Sequence, residues 1–132
     1  MFATTKHKSQ LLELVSDCFE PIRSDLGNVH PDLRDSTYIS GALLGFCRAY
    51  VNHYQLNDGQ FNLFVDAVFE EVFRHQSIAM QTRAEQWLNE KNSAFMEAYY
   101  HARQQQTELK LDWLSQYVQT HFKKAVTLGQ QL

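Results

Sequence analysis

From Gln60 to Leu128 the chain contains neither glycine nor proline. The two residues that most readily interrupt a helix are therefore missing from the whole second half of the sequence. Gln, Glu, Ala, Leu, Lys and Arg, all good helix formers, are dense there instead. Strand-rich folds need frequent Gly- and Pro-bearing turns, so a chain of this kind points to an all-α fold. Both prolines, Pro21 and Pro31, stand in the first quarter.

Hydrophobic spacing divides the chain into helices. The first is expected over 6–19, where Leu11, Leu12, Val15, Cys18, Phe19 and Ile22 recur with helical period, and Pro21 ends it. Residues 24–36 form the one clear loop, with Leu26, Val29 and Leu33 turned inward. His30, Asp32 and Asp35 in this loop suit a turn and a cap better than a cation site. The second helix spans about 36–55, capped by Asp35 or Ser36, with Ile39, Leu43, Phe46, Tyr50 and Tyr54 as its apolar stripe. Beside that stripe run Gly41, Gly45 and Ala49 at intervals of four. Two glycines inside a helix cost about 1 kcal/mol each relative to alanine. Such a line lets another helix approach closely, whether from the same molecule or from a partner.

Asp58-Gly59 can mark a calcium loop, a hairpin turn or a helix joint. With Gly59 as the sixth residue of a calcium loop, Tyr54 would be first, Leu56 third and Val65 twelfth, and none can serve as the loop requires. Asn57 with Gln60 instead completes a capping box. The third helix then runs over about 58–75, with Phe61, Phe64, Val65, Val68, Phe69, Val72 and Phe73 on one face. Asp66, Glu70 and Arg74 fall on the other. Helices two and three become an antiparallel αα-hairpin. This Asp-Gly hairpin resembles the centre of TerB-like domains, without the acidic residues expected there soon after the glycine.

A fourth helix starts near Ser77 or Thr82 and reaches about Gln106, with Ala84, Trp87, Leu88, Phe95, Ala98 and Ala102 inward. Thr82 and Glu85 form a second candidate capping box. A fifth helix covers about 107–128, with Leu111, Leu114, Val118, Phe122 and Ala125 inward. A helix as long as the fourth would overhang its neighbours and offer an end to a second copy. The expectation is one helical domain over residues 1–132, a bundle of four to five helices around a central αα-hairpin.

Composition limits the function. The formal charge of −3 is mild, and it argues against nucleic-acid binding, which needs a clustered basic face. No apolar run approaches a membrane span, and the first residues lack the apolar core of a signal peptide. Cys18 and Cys47 fall on apolar helix faces, which suits free thiols in a reducing cytoplasm. No metal set or cofactor motif is present: Glu71 with His75 and Glu97 with His101 lack the spacing of a di-iron bundle. Arg48 and His53 form an Arg-x4-His pair that resembles the signature of HEPN-type ribonucleases, with Ala49 where that motif has a polar residue. The resemblance implies phosphate stabilisation by Arg48 and proton transfer by His53.

The reading that follows is a non-catalytic interaction or regulatory protein, acting with a protein partner or as a homodimer. Its candidate contact residues are Gly41, Gly45, Ala49, Tyr99, Tyr100 and Trp113. The alternatives are a small ribonuclease using Arg48 and His53, and a bundle that holds a small apolar ligand.

Overall fold

Side-chain caps fix the middle of the chain. Ser36 Oγ accepts the Ile39 amide at 3.1 Å and starts a helix. Asn57 Oδ1 accepts the Gln60 amide at 2.8 Å while Gln60 Oε1 accepts the Asn57 amide at 3.1 Å, the expected capping box. The computed structural model describes residues 2–122 and residue 124. Six helices follow one another: α1 (Phe2–Phe19), α2 (Thr37–His53), α3 (Asp58–Phe73), α4 (Ser77–Asn89), α5 (Ser93–Arg103) and α6 (Asp112–His121). No strand occurs among the described residues, and the architecture is an all-α bundle. None of these helices is long and apolar enough to cross a membrane. Lys123 and residues 125–132, with Ala125 and the end of the expected last helix, lie outside the described residues.

The core gathers around α2. Ile39, Leu43, Phe46 and Tyr50 are buried there, together with Leu11, Val15 and Phe19 of α1 and Phe64, Val68 and Phe69 of α3. The most extensive partner of α2 is α5 rather than α3. The centre of the bundle is therefore an α2–α5 pairing, formed by helices far apart in the sequence. Gly41 and Gly45 make it possible. A Cβ on Gly41 would collide with the carbonyl of Phe95, and one on Gly45 with the carbonyl of Tyr99. The small-residue line is thus filled by α5 of the same chain, and Ala49 is buried beside it.

Helices end without glycine. Gln55, Arg74, Lys91 and Leu109 all have positive φ, between 50° and 56°. After α2 the Leu56 amide donates to Val51 O at 2.9 Å and the Gln55 amide to Asn52 O at 3.3 Å. After α4 the Asn92 amide donates to Trp87 O at 3.0 Å and the Lys91 amide to Leu88 O at 3.1 Å. Both are Schellman closures in which Gln and Lys take the left-handed position usually given to glycine. A side chain held there costs about 1 kcal/mol, which the closing hydrogen bonds and tertiary contacts must offset.

Several expectations change as a result. The expected helix over 77–106 is two helices, because Lys91 turns the chain and Asn92 Oδ1 caps α5 through the Phe95 amide at 3.1 Å. Among the described residues no long overhanging end remains for a second copy. Thr82 is not a cap but lies inside α4, its hydroxyl donating to Ile78 O at 3.1 Å. Leu88, expected inward, is exposed. The last helix begins at Asp112 rather than Thr107 and gives way to extended backbone at Phe122.

The loop after α1 is held by a buried cation. Arg23 is 3% exposed, and its guanidinium donates to Gly27 O and to Glu71 O, each at 2.7 Å. Glu71 belongs to the last turn of α3, whose carbonyls lack helical partners, so Arg23 caps that helix while pinning the loop. The Glu71 carboxylate stands 3.9 Å away. Burial and the neighbouring Arg74 both lower the Arg23 pKa, and Glu71 opposes them. Leu33 is fully buried as expected, but Leu26 is 75% exposed. Replacing Arg23 by Met keeps the aliphatic stem and removes two charge-assisted bonds. Urea unfolding of this variant is expected to show a loss of about 3 kcal/mol. Glu20→Gln, which removes only a solvent-exposed partner, is expected to change stability by less than about 0.5 kcal/mol.

Candidate interaction site

The sequence-derived residues separate into interior and surface. Gly41, Gly45 and Ala49 are interior and unavailable to a partner, because the backbone of α5 lies on them. Arg48 and His53 do not form one site within this chain. The Arg48 guanidinium lies 3.8 Å over the Phe61 ring and 3.4 Å from Asp58 Oδ1, facing α3. His53 Nδ1 is instead 2.7 Å from Gln106 O, beyond the end of α5. Five residues of helix turn the two side chains well apart, so each has a separate structural neighbourhood.

Tyr99, Tyr100 and Trp113 remain at the surface or partly so. Tyr100 is 45% exposed and meets Tyr99 edge to face, with centroids 5.5 Å apart. The Arg103 guanidinium stands 4.8 Å from the Tyr100 ring and 5.8 Å from that of Tyr99. Trp113 belongs to a different, denser cluster. On α6, Trp113, Tyr117 and His121 follow one another at intervals of four and so share a face. Tyr38, from the first turn of α2, stacks on Tyr117 at 4.1 Å with an interplanar angle of 20°. His101, from α5, meets Trp113 edge-on at 4.5 Å, and His121 lies 4.2 Å from Tyr117.

These five rings line an open groove of about 300 Å³, with Gln116 and Thr120 adding polar edges. Its geometry is fixed from below. Leu114 and Val118 of α6 are buried, and the Trp113 indole donates to Lys110 O at 2.9 Å. Burial, and then Tyr117 and Glu97, raise the Tyr38 hydroxyl above its ordinary pKa. Of this set the sequence marks only Trp113 as a contact residue, and His101 enters there only with Glu97 as a rejected metal pair. The Trp-x3-Tyr-x3-His spacing of α6 was a readable signal, whereas Tyr38 and His101 join it only through tertiary packing.

The remaining reactive groups are structural. The Cys18 thiol is buried between Leu14 O at 3.6 Å and Leu111 O at 3.8 Å, and its pKa is pushed up to about 12, mainly by burial and further by Asp17 and Asp112. Burial also drives the Cys47 thiol far upward, with Arg48 opposing only weakly. Among the described residues no three His, Cys, Asp or Glu side chains converge as a metal ion would require. Comparison with protein-family models finds no match, and comparison with curated proteins and with solved structures finds none that is significant.

Both thiols are expected to react with DTNB at least about a hundredfold more slowly in native protein than in denaturant. The raised pKa also fixes a pH dependence. The unfolded thiols ionise near 9.0 and the folded Cys18 only near 12, so this stability is complete below pH 9.0 and lost as pH rises towards 12. Thermal unfolding across that range is expected to show the midpoint falling.

Proposed function

We propose that this protein is a non-catalytic interaction or regulatory module that self-associates through the aromatic groove between α2, α5 and α6. The observation that supports this reading is the convergence of Tyr38, His101, Trp113, Tyr117 and His121 from three helices into an open groove. Trp and Tyr are enriched at the energetic centres of interfaces because they combine large contact area with few rotatable bonds and a polar tip. Here the rings are already ordered by one another and by the Trp113–Lys110 bond, so little side-chain entropy remains to be lost on association.

A second copy of the chain is the preferred partner. The net charge of −3 is small, and like-charge repulsion between copies is correspondingly weak. Tyr100 with Arg103 over its ring adds a mixed aromatic and cationic rim on α5. The buried free thiols suit a reducing cytoplasm.

Sedimentation equilibrium tests the proposal. The wild-type protein is expected to be a dimer that dissociates on dilution. The double variant Trp113→Ala, Tyr117→Ala is expected to associate at least about tenfold more weakly with an unchanged far-UV circular dichroism spectrum. A wild-type protein that stays monomeric at its highest soluble concentration would overturn the proposal, as would a folded double variant that dimerises normally.

A further inference from the structure

A second cleft, sharing no residue with the aromatic groove, lies between α1, the end of α2 and the chain around Leu109. Its volume is about 380 Å³. Small-molecule sites begin near this size, at roughly 300 Å³. Leu14 and Leu109 supply apolar walls, and His53 and Tyr54 supply rings. Tyr54 is 42% exposed yet held on three sides, by Tyr50 at 4.8 Å, His7 at 4.6 Å and His53 at 4.6 Å. Tyr50 forms the buried support beneath. Its hydroxyl donates to Gln10 Oε1 at 3.0 Å and lies 2.8 Å from His7 Nδ1.

The electrostatics of this cleft are one-sided. Glu13 and Asp17, one turn apart on α1, line it and have neither an ion pair nor a side-chain hydrogen bond among the described residues. Glu108 also lines it but is paired with Lys110 at 3.1 Å. Among the described residues no Lys or Arg side chain lines the cleft. An anion would meet two carboxylates that no cation among the described residues neutralises. A neutral apolar molecule would strip water from them without compensation. A metal ion would lack a ligand set.

We propose that this cleft binds a small organic ammonium ion. The positive head lies beside the part-exposed Tyr54 ring and between the Glu13 and Asp17 carboxylates, and its carbon substituents pack on Leu14 and Leu109. Ring quadrupole and carboxylates attract the same charge, and the apolar walls favour an alkylated cation over a hydrated inorganic one.

Titration of ¹⁵N-labelled protein with tetramethylammonium chloride and with n-butylammonium chloride tests the site, using sodium chloride at equal ionic strength as reference. Saturable shifts at the amides of Leu14, His53, Tyr54 and Leu109 are expected with at least one of the organic ions. The tighter of the two distinguishes a quaternary from a primary amine. Tyr54→Ala and Asp17→Asn are each expected to weaken binding at least about fivefold, and Tyr54→Phe to retain it. These positions are solvent-exposed, so circular dichroism will confirm that the variants fold. Shifts that sodium chloride reproduces, or equal affinity in a folded Tyr54→Ala, Asp17→Asn double variant, would overturn the assignment.

Discussion

Backbone contact between α2 and α5 requires that nothing stand between them, and at two positions of α2 nothing does. Gly41 faces the carbonyl of Phe95 and Gly45 that of Tyr99, so the helices approach more closely than any side chain would permit. Glycine inside a helix is unfavourable by about 1 kcal/mol at each site, and the close packing of Phe95, Ala98 and Ala102 is what compensates. The α2–α5 pair forms the axis of the bundle, with α3 packing against α2, and α1 packing in turn against α3 and α6.

Both proposed sites depend on that axis. His101 projects from α5 and Tyr38 from the start of α2, so the aromatic groove exists only while the two helices keep their register. The cleft proposed for an amine uses the other end of α2, where buried Tyr50 and exposed Tyr54 meet α1. Arg23 contributes from a distance by closing the end of α3 and fixing the loop that follows α1. Rigid helices carrying side chains at their ends and edges can hold rings within tenths of an ångström, which a loop-built site cannot do as well.

Local signals in the sequence were legible where one residue type suffices to state them. Asn57 with Gln60 reads as a capping box and is one, and of the two caps the sequence allows for α2, Asp35 or Ser36, the structure uses Ser36. Most of the buried faces of α1, α2 and α3 follow from spacing because one side of each meets the core. Tyr54, expected in the apolar stripe of α2, is instead 42% exposed because it lies past the helix end. The turns of the second half are not legible in this way, because absence of glycine there does not mean absence of turns. Lys91 and Leu109 adopt positive φ under tertiary control, and nothing in their chemistry announces it. The same limit applies to function. Gly41 and Gly45 announced a close approach but not whose helix makes it, and Arg48 and His53 shared a helix without sharing a face. The aromatic groove joins Tyr38 to Tyr117 across most of the chain, a pairing that no local pattern contains.

The central claim is that α2 and α5 touch through glycine, and the equilibrium stability of Gly45→Ala tests it most directly. Alanine is the better helix former by about 1 kcal/mol and also restricts the unfolded chain, so at a solvent-exposed or loosely packed site the substitution stabilises. At Gly45 the added methyl meets the Tyr99 carbonyl, and urea unfolding is predicted to show a net loss of about 2 kcal/mol or more. Unchanged or increased stability would contradict the close α2–α5 contact, and with it the placement of both sites.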